Sequence, residues 1–199
     1  MSEFERLLRS HLGGRVALSA GQVGALERHY DLLVRWNRVL NLTAIRTMEE
    51  AVVRHYCECL YFAALLPTGP RVLDYGSGAG FPGIPIAIVK PEFRVALAES
   101  HQRKAVFLRE ATRGMSNISV LPQRAEDLTE SFDLVVSRAV DPAQVLGQIP
   151  RLAPCAGFLA GGSSLQPAEA SQAAWSERVK LPWGGDRWAV FGRFHVQRS

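Results

Sequence analysis

The chain has 199 residues and a mass of 21.9 kDa, 47% of them apolar and 21% charged, with a mean hydropathy of +0.01. That composition excludes a disordered or collagen-like chain, and the length fits one domain or one domain with a small appended lobe. Lys and Arg number 23 against 19 Asp and Glu, a net charge of +4 that permits an anionic partner without requiring one. No apolar run is long enough to span a bilayer, and the start, Met1-Ser2-Glu3-Phe4-Glu5-Arg6, lacks the apolar stretch of a signal peptide. The expectation is a cytoplasmic protein.

The first elements read as helices. A short one is expected near residues 3–11, and Val23, Leu26, Tyr30, Leu33, Val34 and Leu40 recur at helical steps after a Ser19 cap, predicting a helix over 20–40. Arg28, Arg35 and Arg38 fall near one face of it, but Asp31 interrupts them, which favours a solvated mixed face. Thr47-Met48-Glu49-Glu50 has the spacing of a capping box and opens a segment to about Leu66, closed by Pro67, Gly69 and Pro70. Cys57 and Cys59 lie in it, and with Cys155 they make an odd set without zinc spacing, so reduced buried thiols and no metal are expected.

After Pro70 short β-rich and helical runs alternate: 71–75, 81–89, 94–99, 103–112, 118–121, 132–137 and 141–152. A parallel sheet wrapped by helices follows from that alternation. Residues 155–160 are a further strand and 167–176 look helical. The stretches 177–181 and 187–195 flank Pro182-Trp183-Gly184-Gly185-Asp186, a reversal that would place an antiparallel hairpin at one edge.

Val72-Leu73-Asp74-Tyr75-Gly76-Ser77-Gly78-Ala79-Gly80-Phe81-Pro82-Gly83 reads as a strand entering a Gly-rich turn that opens a helix. Open parallel sheets bind ligands at this end. The dinucleotide fingerprint is missed, because the sixth position from Gly76 is Phe81, and Pro82 and Pro85 remove two backbone donors from the place where a pyrophosphate would sit. Asp74 adds negative charge, which repels phosphate and suits a ligand carrying an ammonium and a sulfonium, such as S-adenosyl-L-methionine. Glu99, after the next strand, is placed to accept from ribose hydroxyls, and Arg124-Ala125-Glu126-Asp127 after the third strand could meet an adenine edge. Any one of these acids alone reads as a loop residue or a cap.

Asn41-Leu42-Thr43, Arg54-His55, the stretch Asp74 to Pro85, Glu99 with 103–108, Arg124-Ala125-Glu126 and the run from Phe132 through Ser137-Arg138-Ala139 resemble the glucose-inhibited division protein B family, bacterial small-subunit ribosomal RNA guanine-N7 methyltransferases. The likeness runs over roughly residues 20–160. It implies a Rossmann-like class I methyltransferase sheet, α/β and mostly parallel with an antiparallel C-terminal hairpin edge, preceded by a helical extension over 1–69 and with the S-adenosylmethionine-binding domain over 70–199. It also implies 16S ribosomal RNA or the small subunit as partner; the sequence leaves the oligomeric state open, with a monomer as the expectation.

By the same resemblance Asp74, Gly76, Ser77, Gly78, Phe81, Glu99, Ala125, Glu126 and Arg138 border the cofactor, and Arg138, His55 and Asn41 serve the substrate side as catalytic candidates. On the residues alone, His55 reads as a core or capping histidine, and Arg138 as a partner of Asp133 or Asp141. The four tryptophans could stack on bases or fill a core. Gly161-Gly162 stands where the family has a Lys before a Gly, so a cation near the substrate is expected to be missing. Tyr75 for a small apolar residue and Glu58 for an Asp are smaller departures. The missing cation motivates an alternative, a catalytically weakened RNA-binding protein of the same fold; a nicotinamide-dependent oxidoreductase is disfavoured by Phe81.

Overall fold

A computed structural model describes residues 1–66, 71–138, 140–166, 173–176 and 178–194. Helix α1 (Glu3–Leu12) starts where the Ser2 hydroxyl accepts from the Glu5 amide at 3.1 Å and ends on Gly13 in the left-handed region. Helix α2 (Ala20–Leu40) starts at a full capping box, in which Ser19 Oγ accepts from Gln22 N and Gln22 Oε1 accepts from Ser19 N. Its buried face is Val23, Leu26, His29, Leu32 and Leu33, rotated slightly from the expected stripe, since Val34 is exposed and Tyr30 only half-buried.

Thr47 caps the next segment as expected, but the segment is not one α-helix. Helix α3 (Met48–Ala51) runs into a π-helical turn, Val52–Cys57, and then into α4 (Glu58–Ala64). The wider turn lets the consecutive residues His55 and Tyr56 reach two different partners, Arg138 and His29. The residues expected to close the segment, Pro67, Gly69 and Pro70, lie outside the described ones, as do Ala139, Glu177, His195 and most of the helix expected over 167–176. Ala174 and Trp175 of that stretch are extended and pair as a strand, a correction to the helical reading. Trp175 there packs over Gly192, where a side chain would collide with its ring at 2.6 Å.

Strands β1 (Arg71–Tyr75), β2 (Arg94–Ala98), β3 (Ile118–Leu121), β4 (Leu134–Arg138) and β5 (Cys155–Gly161) are parallel. Strands β6 (Ala174–Trp175), β7 (Val179–Lys180) and β8 (Arg187–Arg193) add the antiparallel edge, with β8 paired to β5 and to both short strands. The order is β3-β2-β1-β4-β5-β8-β6. The connections are α5 (Gly83–Val89), α6 (Gln102–Ala111) and, where one helix over 141–152 was expected, the two short helices α7 (Pro142–Leu146) and α8 (Ile149–Leu152).

Each of β1 and β2 buries four successive residues, as strands covered on both faces must. One apolar cluster joins Phe4, Leu8, Leu26, Tyr56 and Phe62 of the N-terminal helices to Ile84, Leu97, Phe107 and Val136, so those helices share their core with one face of the sheet. Leu73, Val135, Val145, Ile149 and Phe158 fill the other face. Cys57 and Cys59 are buried free thiols. The strand order reverses between β1 and β4, and a ligand crevice belongs at the carboxyl ends beside that point.

Candidate functional site

The loop between β1 and α5 occupies the switch point, and most of its amides are spent within the protein. Gly76 N and Ser77 N both donate to Ala98 O, Gly80 N and Phe81 N to Ser77 O, and Gly78 N to Glu99 Oε2 at 3.0 Å. Gly76 needs to be glycine: its φ is +73°, and a Cβ there would sit 2.6 Å from Val140. Such a loop has few N–H groups left for a phosphate, in line with the missed fingerprint.

Asp74 lies beneath this loop and not on an open surface. It is fully buried; Oδ2 accepts from Gly83 N at 2.9 Å, and Oδ1 has no hydrogen-bond partner. Burial pushes the carboxyl up to about 7, against the Gly83 hydrogen bond that lowers it. Glu99 follows β2 and is 8% exposed, with one amide on each oxygen, Gly78 N on Oε2 and His101 N on Oε1, so lone pairs remain for further donors. Ala125 and Glu126 form a 3-10 turn after β3. Their carbonyls are held by Arg151, whose Nη2 lies 2.9 Å from Glu126 O and 3.3 Å from Ala125 O.

On the other side of the loop stands a linked set from three elements. Arg138, at the end of β4, directs Nη1 to His55 Nδ1 at 3.0 Å and Nη2 to Arg54 O at 2.9 Å, while its buried Nε has no partner. A guanidinium only donates, so His55 Nδ1 accepts and its Nε2 proton goes to Thr43 Oγ1, 2.8 Å away. Burial, and then the Arg138 charge, hold the imidazole down to about 3. Its ring stacks on Phe81, centroids 4.6 Å apart. Asn37 fixes the Thr43 loop through two hydrogen bonds. Behind it His29 accepts from Tyr56 Oη and donates Nε2–H to Ala79 O, tying α2 to the Gly-rich loop, and burial lowers it to about 4.

Arg138 therefore pairs with neither Asp133 nor Asp141. Asp133 accepts from Arg71 N, Asp141 caps α7, and the acid nearest the Arg138 head among its contacts is Glu58, at 3.9 Å. Asn41 stands apart from this set. It is exposed, closes α2 in the left-handed region at φ +48°, and makes no side-chain hydrogen bond among the described residues. Gly161 offers no cation of its own, and it pairs across the sheet with Arg187 of β8. Two of the tryptophans serve packing here, Trp36 against Phe107 and Trp183 through Nε1 to His11 O. The large cavity of about 670 Å³ lined by Arg71, Arg94 and Phe132 lies at the amino ends of the strands, away from this set.

The two buried histidines set an acid-side stability profile. Both are neutral in the fold, while the unfolded chain protonates them near 6.5, so stability is full above 6.5 and falls as pH drops towards 4. Asp74 acts oppositely: raised from 3.8 to about 7, it gains a proton in the fold over the same window and offsets one histidine. The net slope from these groups is about 1.4 kcal/mol per pH unit between 6 and 4.5, and Asp74→Asn should roughly double it. Denaturant titrations at pH 6, 5 and 4.5 measure this; equal slopes in wild type and variant would refute it.

A profile described as rRNA small subunit methyltransferase G matches residues 22–155. Ribosomal RNA small subunit methyltransferase G of Pelotomaculum thermopropionicum is 36% identical over 197 residues, covering 86% of this chain and 82% of that protein. The enzyme of the same name from Desulforamulus reducens is 40% identical over 141 residues, 66% of this chain. This chain spans 59% of that second protein's length. Among solved structures, Aeropyrum pernix fibrillarin with natively bound S-adenosyl-L-methionine superposes with a TM-score of 0.55 at 17% identity, over 67% of this chain and 73% of its own, a likeness of fold.

Proposed function

The chain belongs to the rRNA small subunit methyltransferase G family, and from that premise we propose that it transfers a methyl group from S-adenosyl-L-methionine to N7 of a guanine in small-subunit ribosomal RNA. The observation that carries the cofactor part is the unpartnered Oδ1 of Asp74 under a loop most of whose amides are already spent. A buried carboxylate oxygen without a donor is costly, and a cationic ligand above the loop relieves it, whereas a diphosphate would find neither donors nor a favourable field. Glu99 has acceptor capacity left for ribose hydroxyls, and the turn Ala125–Asp127 borders the adenine end. Gly76, Ser77, Gly78 and Phe81 form the wall against the methionine portion.

The bound cofactor supplies an electrophilic methyl on sulfonium sulfur. What remains for the chain is alignment. Guanine N7 offers an in-plane lone pair and no proton, so no general base is required. The state of His55 agrees with that division of labour: neutral, both nitrogens engaged, it holds Arg138 and covers Phe81 and has no lone pair free to take a proton. Arg138 keeps its Nε–H for guanine O6 or a flanking phosphate.

The test is methyl transfer from labelled S-adenosyl-L-methionine to small ribosomal subunits and to protein-free small-subunit RNA, both from a strain lacking N7 methylation, with the product mapped by mass spectrometry. A single 7-methylguanine is expected. Methyl incorporation at a different atom would overturn the N7 assignment, and cofactor binding with no incorporation into either substrate would favour an RNA-binding role.

A further inference from the structure

Glu58 is 1% exposed and is surrounded by cations from three elements. Arg54, one turn earlier, donates Nη1 to its Oε1 at 3.2 Å; Arg187 of β8 approaches its Oε2 with Nε at 3.3 Å and Nη2 at 3.0 Å; Arg138 Nη2 lies 3.9 Å from the same oxygen. One buried carboxylate needs one well-placed cation. Here three guanidinium groups share it, and their mutual repulsion is a standing cost unless an anion joins them.

The outward positions are unequal. Arg138 is 14% exposed, whereas Arg187 and Arg54 are 24% and 39% exposed. Arg54 lies along the β7–β8 turn, its guanidinium 3.6 Å from where a Cβ on Gly185 would be. Arg187 lines a cleft of about 490 Å³ together with Val140, Gly161 and Ser164, at the carboxyl ends of β4 and β5. Two acids flank this cleft, and both are engaged: Asp141 accepts from Ala143 N, and Asp186 accepts from Gly162 N and Trp188 Nε1. The N–H groups of Arg54 and Arg187 not given to Glu58 are thus cationic donors at this end of the sheet, next to the Arg138–His55 pair.

Resting on the methyltransferase reading above, we infer that Arg54 and Arg187, oriented by Glu58, form a binding site for one backbone phosphate of the RNA, adjacent to the nucleotide that Arg138 meets. The planar fork of each guanidinium matches phosphate oxygens, and Glu58 fixes both forks so that little side-chain freedom is lost on binding. Gly162 leaves room for the Asp186 carboxylate that its amide binds: a Cβ there would stand 2.6 Å from Asp186 Oδ1.

The experiment measures affinity for protein-free small-subunit ribosomal RNA against KCl concentration for wild type, Arg54→Met, Arg187→Met, the double variant and Arg187→Lys. Each Met variant should bind roughly 10-fold more weakly and lose about 0.7 to 0.9 from the salt slope, the signature of one phosphate contact. Because the phosphate is shared, the double variant should lose no more slope than either single one. Arg187→Lys should keep the slope and recover part of the affinity. S-adenosylhomocysteine affinity, measured in parallel, reports whether each variant is folded and whether the methyltransferase reading itself stands. Failure of the wild type to bind S-adenosylhomocysteine overturns that reading. Normal cofactor binding with unchanged salt slopes in the Met variants, or a doubled loss in the double variant, overturns the shared phosphate site alone.

Discussion

Arg138→Met should lower the single-turnover rate of methyl transfer by about 100- to 1000-fold, the range found when a preorganised donor at a reacting centre is removed. The guanidinium joins the end of β4 to the π-helical turn through His55 Nδ1 and Arg54 O, and holds one unpartnered buried N–H besides. A buried donor without a partner costs about 1–3 kcal/mol, a cost that a ligand atom accepting from Nε would offset. Arg138→Lys should not rescue, because one ammonium on a flexible stem cannot hold His55 and Arg54 O in the same two directions. A second reading separates a local defect from global unfolding: in Arg138→Met the His55 imidazole should titrate above about 3 but still below 6.5, since burial, the larger cause, persists. Nitrogen-detected NMR of the ring follows that. An Arg138→Met protein with wild-type turnover would remove Arg138 from the site.

How much of this was legible in the sequence depends on the range of each interaction. The strands β1 and β3 and the helix α2 were readable to the residue because their signals are local: a Ser cap, β-branched runs, glycines after a strand. The π-helical turn was not, because a helix that is buried nearly all round gives no periodic signal, and its widening answers to partners on β4 and α2. Glu58 is visible in the sequence as a mild departure and Arg54 as part of the Arg54-His55 motif, but nothing in the chain order links either to Arg187, 129 residues later than Glu58. The absence of a Lys at Gly161 is read from one strand alone, and chain order does not reveal that β5–β8 pairing puts Arg187 opposite it. Asn41 is assigned to the site by the motif alone; in the structure its backbone makes the left-handed turn, while Thr43 and Asn37 hold the loop. Asp74 stands out in the sequence as an acid at the end of β1, but its complete burial depends on Gly83 closing over it, which only the packed loop reveals.

That closure makes Gly83→Ala the second large effect. A Cβ at Gly83 would fall 2.3 Å from Leu97 Cδ2, 2.6 Å from Asp74 Oδ2 and 3.0 Å from Asp74 Cβ. Leu97 and Asp74 lie on β2 and β1, which are hydrogen-bonded to each other and to neighbours on their far sides, so neither strand can move aside and the helix start must lift instead. Overpacking of this kind costs about 1–3 kcal/mol, which for a chain of this size lowers Tm by roughly 5 °C. Lifting Gly83 also breaks its bond to Asp74 and displaces the loop, so S-adenosylhomocysteine affinity should fall by at least about 10-fold, read by calorimetry below the new Tm. Asp74→Asn, which keeps the size and an acceptor for Gly83 N, separates charge from shape. With the carboxyl pushed up to about 7 by burial, cationic S-adenosyl-L-methionine favours its ionised form, so its binding expels a proton and wild-type affinity for it, measured in place of the homocysteine analogue that lacks the sulfonium charge, rises with pH from about 6 to 8. In Asp74→Asn that rise should vanish. Wild-type affinity that stays level across this range would show that the field of Asp74 does not reach the ligand, and the electrostatic basis for a sulfonium cofactor at this loop would go with it.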